Sequence, residues 1–401
     1  MIRCTRCIYP QTRPDSHFDA EGVCSGCRSF EQRQHINWPL RLEALKELIA
    51  EAKARKAPYD VVCPVSGGKD STVQVLKLIE LGAKVLAVNS ATDMLTPLGR
   101  RNLDNIKRFC DIIEWTPNIE VRKKLVRLGL HHIGDLSYPE HCIIWSAPTR
   151  IAALMNIPLC VWGEQPQREY SSPEGVEPAT NLDGAWVAQF GGMGGLRLDD
   201  LVGQEGLTTR DLEPFRFPSA DMLDKANVKG IWLGDHIEWD GWKNAFIAQH
   251  HGFEFSPLPV ETSLGNYENL DNYLTIPRDF LRFVKFGYTR GTDIACNHIR
   301  RGRLTREEGL ALETKTQGFP FTSLGKPLPE VLSYFGITAD EFVEQCARWT
   351  NPAIFETKPS GYPATTKRGD WILKQGDGSR DADHSSAVEQ AWNARQGQTL
   401  Q

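Results

Sequence analysis

Six consecutive residues, Ser66, Gly67, Gly68, Lys69, Asp70 and Ser71, carry the first chemistry that can be read in this chain. Adjacent glycines let backbone N–H groups turn inward as an anion nest. Ser66 and Ser71 add hydroxyl donors, Lys69 adds a cation, and Asp70 is an oxygen ligand suited to a magnesium ion that bridges phosphates. The stretch is not the commonest nucleotide loop. G-x-x-x-x-G-K-[ST] requires Ser or Thr directly after its lysine, and here Asp70 follows Lys69. A second constellation is Cys4, Cys7, Cys24 and Cys27, spaced C-x2-C-x16-C-x2-C. Four thiolates at this spacing suit a closed tetrahedral structural zinc, with an iron–sulfur cluster or a redox pair as the alternatives. His17 lies between the pairs, but four cysteines already complete the shell.

A phosphate loop needs a strand in front of it and a helix behind it. The apolar run 59–65 reads as a buried parallel strand and 70–81 as a helix stopped by Gly82. Further strands are expected at 83–90, 111–115 and 158–164, with another at 229–235. Helices are expected at 39–56, 101–110 and 148–155. This alternation predicts a doubly wound parallel α/β sheet. Residues 171–220 lose periodicity and read as a long loop or insertion. From Pro277 onward the pattern is helical. Thr305 with Glu308, and Thr338 with Glu341, are capping-box pairs that mark two helix starts. The expected organisation is a zinc ribbon over 1–37, the nucleotide-binding α/β unit over 38–245, a helical substrate or partner region over 246–355, and a polar, disordered tail over 356–401.

Ligands in open α/β sheets gather beyond the carboxyl ends of the strands. Gly163 and Glu164 end the expected fourth strand, and Glu164 can serve magnesium, a sugar or an incoming amine, or stand solvated. Glu169 and Tyr170 follow in the same loop. Asp235 ends the run 229–235 as a second such carboxylate. Lys285, Arg290 and Asp293 stand near one helix and its loop, where a cation could receive a diphosphate or form part of a solvated basic face. Arg300, Arg301 and Arg303 read as a surface or subunit-binding patch. Cys63 and Cys160 read as core packing residues, and Cys142 as a packing residue at a loop–helix junction that could face the site.

The six-residue loop resembles the PP-loop, S-G-G-x-D-S. With the cysteine quartet and the stretches "WGEQPQREY", "YENLDNYLTIPRDFLRFVKFGYTRGTD" and "IRRGRLTREEG", the chain resembles the N-acetyl sugar amidotransferase family of surface-polysaccharide (LPS O-antigen) biosynthesis. The resemblance implies a sheet of the PP-loop, adenine nucleotide alpha hydrolase-like type. It implies an enzyme that uses ATP and Mg2+ to adenylate the amide oxygen of an N-acetyl group on a nucleotide-linked sugar. Ammonia then replaces that oxygen, giving an acetamidino group, AMP and pyrophosphate. The expected catalytic residues are Asp70, Ser71, Glu164, Asp235 and Lys285. The expected nucleotide-binding residues are Ser66, Gly67, Gly68, Lys69, Asp70, Ser71, Val88, Asn89, Ser90 and Gly163. Residue two is Ile2 and no cysteine occupies a glycine-flanked elbow, so nitrogen is expected from a separate glutaminase subunit, with a partner similar to the histidine-pathway cyclase subunit. A tRNA sulfur transferase shares the loop and the zinc ribbon but normally adds a catalytic cysteine pair, and a zinc module with a retired loop is the non-enzymatic alternative.

Composition bounds these readings. The 401 residues are 40% hydrophobic and 24% charged, which is globular. A net charge of −5 argues against a dedicated nucleic-acid binder. Neither a signal peptide nor an apolar run of membrane length is visible, so a cytoplasmic protein is expected.

Overall fold

The computed structural model describes residues 1–374 apart from 171, 175–177, 180 and 368. Five strands, β1 (Val61–Val65), β2 (Val85–Ser90), β3 (Asp111–Trp115), β4 (Leu159–Trp162) and β5 (Lys229–Trp232), form one sheet in the order β3-β2-β1-β4-β5. Every pairing is parallel. Both faces are covered, which is why the strands read as near-continuous apolar runs rather than alternating ones. On one face Val61, Cys63, Val65, Val161 and Ile231 pack with Leu45 and Ile49, Val75 and Leu78, and Leu103 and Ile106 from three helices. On the other, Val62, Leu86, Val88, Cys160, Trp162 and Trp232 meet Trp145, Ile151 and Ala152. The doubly wound α/β expectation therefore holds. Strand order reverses between β1 and β4, and the crevice beyond their carboxyl ends is where such sheets hold ligands.

The helices differ from expectation in instructive ways. The one expected at 148–155 runs instead over Tyr138–Leu154 with Pro148 inside it. Pro148 is buried within the helix, and beside it Thr149 donates its hydroxyl to the Trp145 carbonyl at 2.8 Å. A helix over Ile119–Ile133 was not expected at all. It is capped by the Asn118 side chain and ended by Gly134 in the left-handed region (φ 62°). Residues 171–220 include the helix Gly184–Phe190 and several single turns. Both capping boxes form, at Thr305/Glu308 and Thr338/Glu341.

One expectation about the ends is corrected. The tail was expected to begin at 356, yet bridges join Phe355 to Leu373, Thr357 to Pro363 and Thr365 to Trp371. Trp371 is buried, and its ring stacks on Phe319 with centroids 6.0 Å apart. The polar composition hid a single aromatic anchor. The rest of the expected tail, 375–401, lies outside the described residues. The cysteine ribbon packs on the later chain, since Cys4, Cys7, Ile8, Tyr9 and Val23 share one core cluster with Ala295 and Cys296. Among the described residues no helix is long and apolar enough to cross a membrane.

Candidate active site and cysteine centre

The loop after β1 forms as its glycines require. Gly67 has φ +87°, and a Cβ there would press within 2.8 Å of the Leu103 backbone. The Gly68 N–H donates to Ser66 Oγ at 3.2 Å, and Ser71 Oγ donates to the Gly68 carbonyl at 3.0 Å. The helix Lys69–Glu80 begins with no side-chain cap, so its first N–H groups are left for a ligand. Together with Gly99, Asn102, Tyr267, Asp271 and Arg290, the loop lines a cleft of about 180 Å3.

Lys69, the variable position of the motif, sits at the centre of this cleft. It is 4% exposed, and its ammonium pairs with Asp70 at 2.5 Å and Glu268 at 2.7 Å. Burial works against its charge, but the two carboxylates overcome that and raise its pKa. Asp70 also accepts from Asn244 Nδ2 at 2.8 Å. Glu268 is shared with Arg290 at 2.9 Å. Burial alone would raise the Glu268 carboxyl, yet Arg290 and Lys69 hold it at about 2. Arg290 in turn donates to the Tyr170 hydroxyl at 3.0 Å, and that hydroxyl donates to Glu164 at 2.9 Å. One chain of contacts thus links the loop after β1 to the loop after β4.

Glu164 differs from its neighbours. Burial lifts its carboxyl to about 7, with Arg290 opposing and Asp70 and Glu169 adding to the rise. Below pH 4.5 the folded and unfolded chains are both protonated here. Between pH 4.5 and 7 the unfolded chain releases a proton that the folded chain keeps, so stability drains as pH rises through that window. Glu164→Gln should therefore gain about 3 kcal/mol relative to the parent between pH 4.5 and 7.5, read by urea denaturation at the two pH values. An unchanged difference would remove this account of the site.

Other expected residues lie elsewhere. Asp235 is buried against Arg168 at 2.5 Å and lines neither this cleft nor the smaller cavity that adjoins it. Lys285 donates to the Ile133 carbonyl at 3.0 Å, away from the loop. Asp293 pairs with Arg282 at 3.1 Å and accepts from the Tyr9 hydroxyl at 2.5 Å. Val88 is core, Asn89 donates to the Val65 carbonyl at 2.8 Å, and Ser90 donates to the Ile143 carbonyl at 2.9 Å. Gly163 is needed for packing, since a Cβ would meet Gln74 at 2.9 Å and Trp239 at 3.0 Å. Cys142 packs in a core cluster with Tyr138, Ile143 and Leu201, and burial raises its thiol to about 12. Tyr267, Glu268 and Asn244 were not named as site residues, because nothing in their local spacing points to chemistry. Arg301 and Arg303, read as surface, face inward to Asp240.

The four ribbon cysteines are buried with their Sγ atoms all within 4.8 Å of one another. Cys4 to Cys27 is 3.9 Å and Cys7 to Cys24 is 3.6 Å. Sulfurs bound tetrahedrally at zinc distances stand about 3.8 Å apart, so the quartet fits that ion. Backbone N–H groups of Arg6, Cys7 and Cys24 point to Cys4 Sγ at 3.4, 3.5 and 3.2 Å. Arg300 reaches from Cys24 Sγ (3.7 Å) to the Glu169 carbonyl (2.7 Å). A Cβ at Gly26 would overlap the Tyr170 carbonyl, and Arg33 pairs with Glu169. The ribbon is therefore a buttress for the loop that carries Glu164 and Tyr170.

Residues 266–368 match the family model described as LPS biosynthesis protein WbpG-like, C-terminal domain. This region is similar to that family, and the match spans about a quarter of the chain. The match bears out the recognition of an LPS-biosynthesis, amidotransferase-like family, and the stretches 267–293 and 299–309 that carried it lie inside the matched region. A search of curated proteins finds no match to the chain. The matched region supplies Tyr267, Glu268 and Arg290 to the cleft, and the sheet supplies the glycine loop to it and Glu164 to the cavity that adjoins it. The site is thus assembled where the two meet.

Proposed function

We propose that this chain is an AMP-forming amidotransferase of the PP-loop type. It adenylates the amide oxygen of an N-acetyl group on a nucleotide-linked sugar and replaces that oxygen with ammonia, within LPS O-antigen synthesis in the cytoplasm. The observation that supports this best is the chain of contacts from Lys69 through Glu268 and Arg290 to Tyr170 and Glu164, which ties a phosphate loop to the WbpG-like region. An N-acetyl carbonyl is a poor electrophile with a very poor leaving group, and an adenylated oxygen cures both faults.

In this reading Ser66, Gly67, Gly68 and the first N–H groups of the helix Lys69–Glu80 receive the outer two phosphates of ATP. Lys69 and Arg290 offset the charge that develops on departing pyrophosphate. Asp70 is the residue that would hold magnesium, whose charge would assist the same departure. Ser71 fixes the loop through Gly68, and Asp235 and Lys285 serve structure. Nitrogen comes from a separate glutaminase, with a cyclase-like subunit as a further partner.

Incubation with ATP, magnesium, ammonium and a panel of nucleotide-linked N-acetyl sugars tests the proposal. Mass spectrometry should find oxygen exchanged for NH in one sugar, with AMP formed in step. ADP in place of AMP would overturn it.

A further inference from the structure

Beside the cleft lies a second cavity of about 30 Å3. Lys69, Asp70, Tyr267, Glu268 and Arg290 line both, so the two meet at the start of the helix Lys69–Glu80. A water-sized molecule needs roughly 10–15 Å3 of such space. The cavity therefore suits one very small guest and excludes a nucleotide or a sugar.

Its charge identifies the guest. Five carboxylates line it, Asp70, Glu164, Glu169, Asp240 and Glu268, against four cations, Lys69, Arg290, Arg301 and Arg303. His298 also lines it but is neutral, its imidazole pushed down to about 3 by burial and by Arg303. Lys69 serves Asp70 and Glu268, Arg290 serves Glu268, Arg301 and, from outside the cavity, Arg33 serve Glu169, and Arg303 serves Asp240. One carboxylate of the five is left without a cation of its own. Among the described residues it is Glu164, which accepts from the Tyr170 hydroxyl but has no ion-pair partner. A second, independent feature points the same way. Tyr267 is 4% exposed, and among the described residues its hydroxyl has no hydrogen-bond partner. A buried hydroxyl left so calls for a guest with hydrogen-bonding groups.

We propose that this cavity binds one ammonium ion against Glu164 and the Tyr267 hydroxyl, and that Glu164 takes its proton and releases ammonia toward the phosphate-loop cleft. A monovalent N–H donor of water's size meets each observation, whereas a divalent cation leaves positive charge uncompensated. Binding follows from the cavity alone, and the fate of the ammonia rests on the amidotransfer reading above. In that step the N–H bonding pair of ammonium stays on nitrogen as its proton passes to a Glu164 oxygen. The freed lone pair forms the C–N bond to the adenylated amide carbon, the added nitrogen loses one proton to solvent, and the C–O bond breaks with its pair on the oxygen of AMP.

The test has two arms. In the first, melting of the full chain is followed at pH 7.5 in ammonium, potassium or tetramethylammonium chloride at equal ionic strength. Ammonium should raise the midpoint by about 2 °C more than either other cation, and Glu164→Gln and Tyr267→Phe should each abolish that difference. Potassium or tetramethylammonium matching ammonium, or both variants keeping the parent's difference, overturns the proposal. The second arm reads the ammonium KM with the sugar panel. Glu164→Gln should raise it about tenfold at pH 7, as loss of a charged hydrogen bond implies, with the gap closing by pH 9.5, where ammonia is plentiful without a base. An equal gap at both pH values overturns the base role. A parent protein that binds ammonium yet forms no AMP sinks the amidotransfer reading and leaves the ammonium site standing.

Discussion

Asp70→Asn should cut ATP–pyrophosphate exchange by about 10^2–10^3-fold, the loss typical when one charge-stabilising group is removed from a preorganised site. The substitution keeps the shape of the side chain and leaves Lys69 its second partner, Glu268, at 2.7 Å. It removes the carboxylate that faces both Lys69 and Asn244 at the first turn of the helix, and with it the oxygen that would hold magnesium. Melting temperature serves as the control, because an unfolded variant would lose exchange for the wrong reason. Exchange within about threefold of the parent, in a protein that melts normally, would sink the assignment of this loop to nucleotide cleavage.

The second large effect concerns the ribbon. Chelation, or Cys24→Ser, should lower the melting midpoint by about 10 °C or more, since structural zinc binding contributes folding free energy directly. More diagnostic is where protection is lost. Amide exchange should accelerate over 4–33 and over 165–170 together, because Gly26, Arg33 and Arg300 press on or pair with the Glu169–Tyr170 backbone and side chains. The helix Lys69–Glu80 should stay protected. A ribbon that loosens while 165–170 remains protected would show that the cysteine centre stabilises only itself.

The strands were legible because β1, β2, β3, β4 and β5 are short apolar runs bounded by turn residues, and burial on both faces leaves little room for another pattern. The cysteine quartet and the glycine loop were legible because their chemistry is written in local spacing. Glu164 was found by its position after a strand. Glu268 and Tyr267 were not, because their meaning lies in partners far along the chain. Glu268 meets Lys69 and Arg290, and no local pattern encodes that convergence. Lys285 shows the opposite error. It lies five residues from Arg290, but Arg290 opens the next helix after the turn at Gly287, so the two side chains diverge. The helix Ile119–Ile133 and the anchor Trp371 were missed for a further reason. Their burial is created by surfaces that only tertiary packing supplies.

The ribbon's resting place has a consequence for biosynthesis. Tyr9 bonds to Asp293 across 284 positions of sequence, and Arg306 holds the Cys4 and Cys7 carbonyls. A ribosome adding roughly 5–20 residues per second exposes the first cysteine pair tens of seconds before this seat exists. During that interval the nascent thiols stand without the shelter of the later helices, open to metal capture and to oxidation alike.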